Sequence, residues 1–384
     1  MQMKQYHKKK SILFMMPALP GGGAEKVLID ILKNIDYTAY AVTLFLEYRE
    51  GVYLPDVLEN VEVIYLHRSN NIWFQRLHRR LVERRIYGVF HEIVYRAMFL
   101  WLMRGRKFDT AISFMEGAAL KYHSYIIKKA AKNISWVHID LQKKHWSLDF
   151  FRDEQDEARC YAMMDTIVFV SEDAKQRFVE LFPIGRKKCQ VQYNLIDGKE
   201  IKSLSKTFNV EKRKFTICMA GRLNRQKRYD RAIEVAHLLK KDGYDVDFWI
   251  LGIGELEQEL REQIKRYGLE DCVHLKGFVK PPYPYIAKAD IFLNTSESEG
   301  YPLTICEALC LGIPIVATSI TGATEILSNS QYGVLTEEGA ISIYNGVKLL
   351  IDNGNLREKY AKMALKRAEM FQVNEIMTRI YSMI

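Results

Sequence analysis

Short apolar, β-branched runs alternate with helical stretches twice over along this sequence, and that rhythm restricts the chain to parallel sheets wrapped by helices. The first set is Ile12 to Met16, Ala41 to Leu46, Val61 to Tyr65, Thr110 to Ser113, Ile134 to His138 and Thr166 to Val170. Continuous apolar runs of strand length, separated by segments long enough for a crossover helix, read as βαβ units. A polar, lysine-rich interval from Asp197 to Lys214 breaks the pattern and reads as a linker. The rhythm then restarts with Phe215 to Ala220, Asp247 to Leu251, Val273 to Leu275, Ile291 to Asn294 and Ile313 to Ala317, with amphipathic stretches Tyr229 to Lys241 and Leu256 to Tyr267 between them. Segment Asn355 to Ile384 reads as two further helices.

A chain of 384 residues exceeds what one core usually organises. The expectation is therefore an α/β protein with two doubly wound, Rossmann-like domains, residues 1–200 and 201–370, followed by a terminal helix, 371–384. Hydrophobic residues at 48% and charged residues at 27% fit a folded chain and exclude a disordered one. The six cysteines are scattered, without C-x-x-C spacing or a histidine at metal-finger distance, which reads as a reducing compartment.

Lys8 to Lys10 followed by Ile12 to Met16 could mimic a signal peptide, but Pro17 and Gly21 to Gly23 cut the apolar run short. Stretches such as Ala97 to Met103 fall well below the ~20 residues of a spanning helix, so a cytoplasmic chain is expected. The net charge is +9, with the excess before residue 196. Residues 67–107 concentrate Arg76, Arg79, Arg80, Arg84, Arg85, Arg96, Arg104 and Arg106 among Trp73, Phe74, Tyr87, Phe90, Tyr95, Phe99 and Trp101. Cations interleaved with aromatics suit the surface of an anionic membrane, giving an expected peripheral association with the inner face of the plasma membrane. A solvated helix face is the alternative. Nucleic acid is not expected, because no recognised module accompanies the charge.

In doubly wound sheets, ligands sit beyond the carboxyl ends of the strands. Gly221-Arg222-Leu223-Asn224-Arg225-Gln226-Lys227 follows the run Phe215 to Ala220 and sets two cations beside a glycine that permits close approach, which suits a diphosphate. The run Ile291 to Asn294 leads into Ser296 to Pro302, then a helix from Leu303 to Leu311 closed by Gly312 and Pro314. Pro302 suits a first helical turn, whose free N–H groups and dipole favour an anion. Glu299 and Glu307 supply one carboxylate near the loop mouth and one deeper. His138, at the end of its run, has Asp140 as a possible orienting partner.

Taken together, these residues resemble the retaining glycosyltransferases of the GT-B fold, family four, also called glycosyl transferases group 1. The ordered set is Gly21 to Glu25, Trp136 to Asp140, Asn194, the Gly221-Arg222-Leu223 loop with Lys227, and Glu299 to Glu307, spanning nearly the whole chain. The resemblance implies two Rossmann-like domains facing a central cleft, with the terminal helix 371–384 crossing back to the N-terminal, acceptor-binding domain. It implies that Arg222 and Lys227 bind a donor diphosphate, that Glu299 contacts the transferred sugar and that Glu307 holds the ribose. Gly300, Tyr301, Pro302 and Leu303 would line the pyrophosphate and sugar; Gly252 to Glu255 and Gly277, Phe278 and Val279 would flank the base. His138 would reach the donor sugar, and Gly22 and Gly23 would let the first loop approach donor and acceptor.

The implied reaction moves a hexose or N-acetylhexosamine from a nucleotide diphosphate sugar, UDP by family frequency, to a lipid-linked or cell-surface polysaccharide acceptor. No cofactor and no metal is expected. Asp245-Val246-Asp247 matches a metal-binding D-x-D pattern of other glycosyltransferases, yet it enters its strand at the end opposite the expected site. The Gly21 to Lys26 loop lacks the glycine spacing of dinucleotide and P-loop fingerprints, which argues against NAD and ATP. A nucleotide-sugar epimerase on the same architecture is the alternative activity.

Overall fold

A computed structural model describes residues 8–67, 91–143 and 145–384. The chain divides into two compact units, Met1–Leu195 with Asn374–Ile384, and Ile196–Val373. Arg76, Arg79, Arg80, Arg84, Arg85, Trp73, Phe74, Tyr87 and Phe90, most of the basic aromatic stretch, lie outside the described residues.

Unit 1 is built on a sheet of β1 (Lys10–Met16), β2 (Tyr40–Tyr48), β3 (Glu62–His67), β4 (Phe108–Ser113), β5 (Ala130–Val137), β6 (Thr166–Phe169) and β7 (Cys189–Val191). The spatial order is β3-β2-β1-β4-β5-β6-β7, and every pairing is parallel. Ile12 through Met16 of β1 are all buried, because β1 has strands on both edges and side chains packed on both faces. The helices used below are α1 (Gly23–Asn34), α2 (Arg96–Leu102), α3 (Ala118–Tyr125) and α4 (Glu154–Ala162).

Unit 2 carries β8 (Phe215–Ala220), β9 (Val246–Leu251), β10 (Val273–Gly277), β11 (Ile291–Asn294), β12 (Ile315–Thr318) and β13 (Val334–Thr336), in the order β10-β9-β8-β11-β12-β13 and again all parallel. Its helices include α5 (Gly198–Leu204), α6 (Tyr229–Lys241), α7 (Glu257–Arg266), α8 (Leu303–Cys310) and α9 (Gly354–Ala368). Helix α6 buries Tyr229, Ala232, Ile233, Val235, Ala236 and Leu239, the three- and four-residue spacing of an apolar helix face. Burying side chains the size of Ile233 or Leu239 contributes roughly 1.5–3 kcal/mol each before entropy is charged.

Both sheets are therefore doubly wound α/β, as the alternating rhythm predicts. Details differ for local reasons. Strand β5 begins at Ala130 because Lys132 and Asn133, polar in sequence, pair with Thr110 and Ala111 of β4. It ends at Val137, so His138 is the first residue of the following loop. Strands β7 and β13, three residues each, carry too little apolar sequence to announce themselves. The polar interval after Asp197 is not all linker: the Asp197 carboxylate accepts the Lys199 and Glu200 N–H groups, both at 2.9 Å, and caps α5. The terminal helix α10 (Val373–Met383) has Tyr381 stacked on Tyr40, while the Tyr381 hydroxyl accepts the Asp36 N–H and donates to the Asn34 carbonyl.

Strand order reverses beside β1 in unit 1 and beside β8 in unit 2. In each sheet the crevice between the two strands leaving in opposite directions opens at their carboxyl ends. This singles out the loops after β1 and β4 in one unit and after β8 and β11 in the other.

Candidate functional site

In unit 2 the loop after β8 begins at Gly221, φ +151°, where a side chain would press on Tyr229 and Lys227. Asn224 accepts the Lys227 N–H at 3.2 Å and closes a single 3-10 turn, Arg225–Lys227. Arg228 then takes a left-handed conformation, φ 51°, to start α6. The loop after β11, Thr295 to Pro302, is fastened to this turn at several points. Glu297 N–H donates to the Gln226 carbonyl at 3.0 Å, and the Gln226 side-chain amide donates to the Ser298 carbonyl at 2.6 Å. The Thr295 hydroxyl shares its proton between the Lys227 and Arg228 carbonyls, each at 2.9 Å. Arg228 also pairs with Asp230 at 2.8 Å and Glu297 at 3.4 Å.

This fastening brings Lys227 Nζ within 2.7 Å of Glu299 Oε1, with the two side chains only 18% and 12% exposed. The same oxygen accepts from the Ser296 hydroxyl at 2.7 Å and the Asn294 amide at 3.2 Å. A half-buried carboxylate with three donors on one oxygen is held in a single orientation.

Three residues further on, Pro302 caps the start of α8, and Gly300, Tyr301, Pro302 and Leu303 are buried. The Thr304 hydroxyl in the first turn is buried without a hydrogen-bond partner. Gly322 packs so tightly here that a side chain on it would overlap the Gly300 carbonyl. Glu307, four percent exposed, accepts the Tyr283 hydroxyl at 3.1 Å. A helix start with its dipole, an ammonium and a rigid carboxylate are thus gathered at the carboxyl ends of β8 and β11.

Gly252 and Gly254 lie alongside, joined by Gly221 N–H to Leu251 carbonyl and Leu223 N–H to Ile253 carbonyl bonds, both 2.9 Å, while Gly252 N–H donates to the Gly277 carbonyl at 2.7 Å. Phe278 is exposed at this rim and Val279 half-buried. Arg222 is exposed, unlike Lys227. Asp245 pairs with Lys214 at 2.7 Å, and Asp247 sits at the amino end of β9, away from these loops. Among the described residues, no three His, Cys, Asp or Glu side chains are grouped so as to hold a metal.

In unit 1, Gly22 is the cap of α1 and Gly23 its first residue. The His138 ring packs on Phe114, centroids 4.9 Å apart, with the Trp136 ring, which also packs on Phe114, 6.4 Å away. Burial holds its pKa down, to about 3, so the imidazole is neutral, and its Nε2 has no partner. Asp140, expected to orient the ring, instead accepts the Gln142 and Lys143 N–H groups and lies 3.4 Å from Arg177. Its turn, not the histidine, uses that carboxylate.

The sequence reading missed Gln226, Asn294, Thr295, Ser296 and Thr304. Their signal was only their position in the loops at the ends of β8 and β11. It also missed Glu116, whose carboxylate accepts the His138 N–H at 3.1 Å.

In unit 1, α2 and the turn before it expose Ile93, Val94, Met98 and Trp101, whereas Tyr95 and Phe99 are buried. Arg96 lies over the Tyr125 ring and Arg106 forms an ion pair with Glu62 at 2.7 Å, so neither is a free surface cation. Among the described residues, no helix is long and apolar enough to cross a membrane.

Residues 200–367 match the family of glycosyl transferases group 1. Over 213 residues the chain is 33% identical to an N-acetylgalactosamine-N,N'-diacetylbacillosaminyl-diphospho-undecaprenol 4-alpha-N-acetylgalactosaminyltransferase of Campylobacter jejuni, a match covering 55% of this chain and 57% of that protein. The chain thus spans little more than half the length of this relative. Its fold matches the crystal structure of Anabaena HepE in complex with UDP and glucose, at 20% identity and a TM-score of 0.72 over 97% of this chain and 98% of the other. It likewise matches S. aureus TarM, crystallised as a G117R mutant with UDP, fondaparinux and alpha-GlcNAc-glycerol, at 14% identity and a TM-score of 0.75 over 97% and 99%. The architecture is that of GT-B glycosyltransferases.

Proposed function

We propose that the chain, whose residues 200–367 match the glycosyl transferases group 1, moves a hexose or N-acetylhexosamine from a UDP-sugar to a lipid-linked or cell-surface polysaccharide acceptor, with retention at the anomeric carbon. The observation that carries this reading is the Lys227–Glu299 pair held beside the start of α8. Lys227, Arg222 and the helix N–H groups stabilise the departing diphosphate; Glu299 accepts hydroxyls of the transferred sugar, and Glu307 those of the ribose. The exposed Phe278 and Ile253, on the rim beside Gly252 and Gly277, suit the face of a base.

The bond from the anomeric carbon to the phosphate oxygen breaks while the acceptor oxygen bonds to the same face of that carbon. The acceptor's proton passes to the departing phosphate oxygen. Lys227, Arg222 and the start of α8 carry the charge, so the reaction needs no metal. A lipid-linked acceptor is supported by the diphospho-undecaprenol acceptor in the name of the Campylobacter relative. Docking on the inner face of an anionic membrane, with the chain cytoplasmic, is supported by Ile93, Val94, Met98 and Trp101 exposed near Arg104 and Lys107.

Thermal shift against a panel of nucleoside diphosphates, then turnover of UDP-sugars with and without EDTA, tests the reading. UDP selectivity and EDTA-insensitive turnover are expected; no nucleotide binding, or conversion of donor alone into an epimer, overturns it. Co-sedimentation with anionic but not neutral vesicles is expected for the membrane role.

A further inference from the structure

We infer that Glu116 is a positioning residue for His138, holding its main chain so that the ring presents a bare Nε2 as acceptor for a substrate hydroxyl; this rests on the sugar-transfer reading above. The argument begins with topology. Glu116 lies three residues past β4, one of the two strands beside the reversal of strand order in unit 1. It is 1% exposed, an unusual place for a carboxyl group. Gly117 follows with φ +73°, where a side chain would press on the rings of Trp146 and Phe150, and turns the chain into α3.

The carboxyl group faces inward. Its Oε2 accepts the His138 N–H at 3.1 Å. The next carboxylate inward, Glu157 of α4, is committed elsewhere, to His145 at 2.6 Å and the Ser147 hydroxyl at 2.7 Å. His138 is thus held in two ways by one short segment: its main-chain N–H by the Glu116 carboxyl and its ring against the Phe114 ring, centroids 4.9 Å apart. The ring's Nε2 is buried and has no partner, so with its lone pair free it is an acceptor that lacks a donor. A buried acceptor without a donor is costly unless a ligand supplies one. A sugar hydroxyl is the donor that the proposed reaction brings.

Removing the Glu116 carboxyl leaves the His138 N–H without an acceptor, so the loop re-orients and the tautomer preference relaxes. The test uses the full chain with ¹⁵N-labelled histidine, the His138 signals assigned through His138→Gln. Wild type is expected to show His138 neutral, protonated at Nδ1 and bare at Nε2. In Glu116→Ala the two tautomers mix, kcat falls about 10- to 100-fold and the UDP dissociation constant stays within about twofold. Glu116→Gln, which keeps an acceptor oxygen, restores the tautomer and brings kcat back to within about threefold of wild type. Should Glu116→Ala fold with the wild-type tautomer, or should kcat fall only with the folded fraction, the inference is overturned. If wild type turns over no UDP-sugar, the functional reading fails, and the NMR comparison alone still decides the role of Glu116.

Discussion

Lys227 and Glu299, 72 residues apart in the chain, form a 2.7 Å ion pair between the loop after β8 and the loop after β11. Asn294 and Ser296 donate to the same carboxylate oxygen, so the pair is a fixed element and not a chance surface contact. On the proposed reading, a diphosphate entering beside α8 competes with Glu299 for the Lys227 ammonium. Lys227→Ala is therefore expected to lower kcat by about 100- to 1000-fold, because it removes charge aimed at the leaving group. Glu299→Gln keeps an acceptor for Asn294 and Ser296 while releasing Lys227. It should bind UDP as tightly as wild type or more tightly, yet turn over UDP-sugar slowly. Isothermal titration with UDP beside steady-state turnover separates the two effects, and weaker UDP binding by Glu299→Gln would contradict this placement of Lys227.

Gln226 is a second point of attachment between the same loops, through its side-chain amide to the Ser298 carbonyl and its own carbonyl to Glu297 N–H. Gln226→Ala removes the first bond and leaves the second. A stability loss of about 0.5–1.5 kcal/mol is expected from urea unfolding. The functional loss should be larger, roughly tenfold in kcat/KM, because Glu299 is the residue after Ser298 and small displacements of reacting groups are costly. Equal effects on stability and kcat/KM would reduce Gln226 to a packing residue.

Gly252 and Gly254 let the loop after β9 lie directly on the loop after β8. At Gly252, φ +146°, a side chain would overlap the Gly221 carbonyl, and at Gly254 it would overlap the Leu223 carbonyl. Both obstacles are backbone, so neither can swing aside. Gly252→Ala is expected to cost more than about 2 kcal/mol and to weaken UDP binding with it, since Gly221 anchors the turn that carries Lys227. Gly185→Ala is the control: its φ is −55° and nothing lies within reach of an added side chain, so its melting temperature should match wild type.

Both doubly wound sheets were legible in the sequence because parallel strands buried on both faces leave continuous apolar runs. Short strands were not: β7 and β13 are held by their neighbours in the sheet more than by their own composition. Lys227 and Glu299 were readable as loop residues after apolar runs. Their mutual contact was not, since it depends on Gln226, Thr295 and Ser296, polar residues with no pattern in one dimension. Glu116 was hidden for a related reason. A glutamate in a loop sequence reads as solvated, and only the packing of Trp146, Phe150 and α4 around it reveals the burial.

That burial gives the last prediction its sign. Desolvation raises the Glu116 pKa from its ordinary 4.5 to about 7, with Glu157 and Tyr161 facing it and the His138 N–H opposing the rise. A carboxyl whose folded pKa is raised takes up a proton on folding between those two values. Its stabilising contribution is complete below about pH 4.5 and is lost as pH climbs through 7. The interval corresponds to roughly 3 kcal/mol. His145, raised chiefly by its bond to Glu157, also loses stabilisation as pH rises through its folded pKa. His123 and His138, depressed by burial, work in the opposite direction, losing stability as pH falls below 6.5. All three histidines are present in both wild type and Glu116→Gln. The difference between their unfolding free energies, measured by urea denaturation from pH 4.5 to 8, therefore isolates Glu116: the glutamine variant should gain on wild type steadily across that range. A constant difference at every pH would mean that Glu116 does not titrate there and that its carboxyl is ionised or solvated throughout.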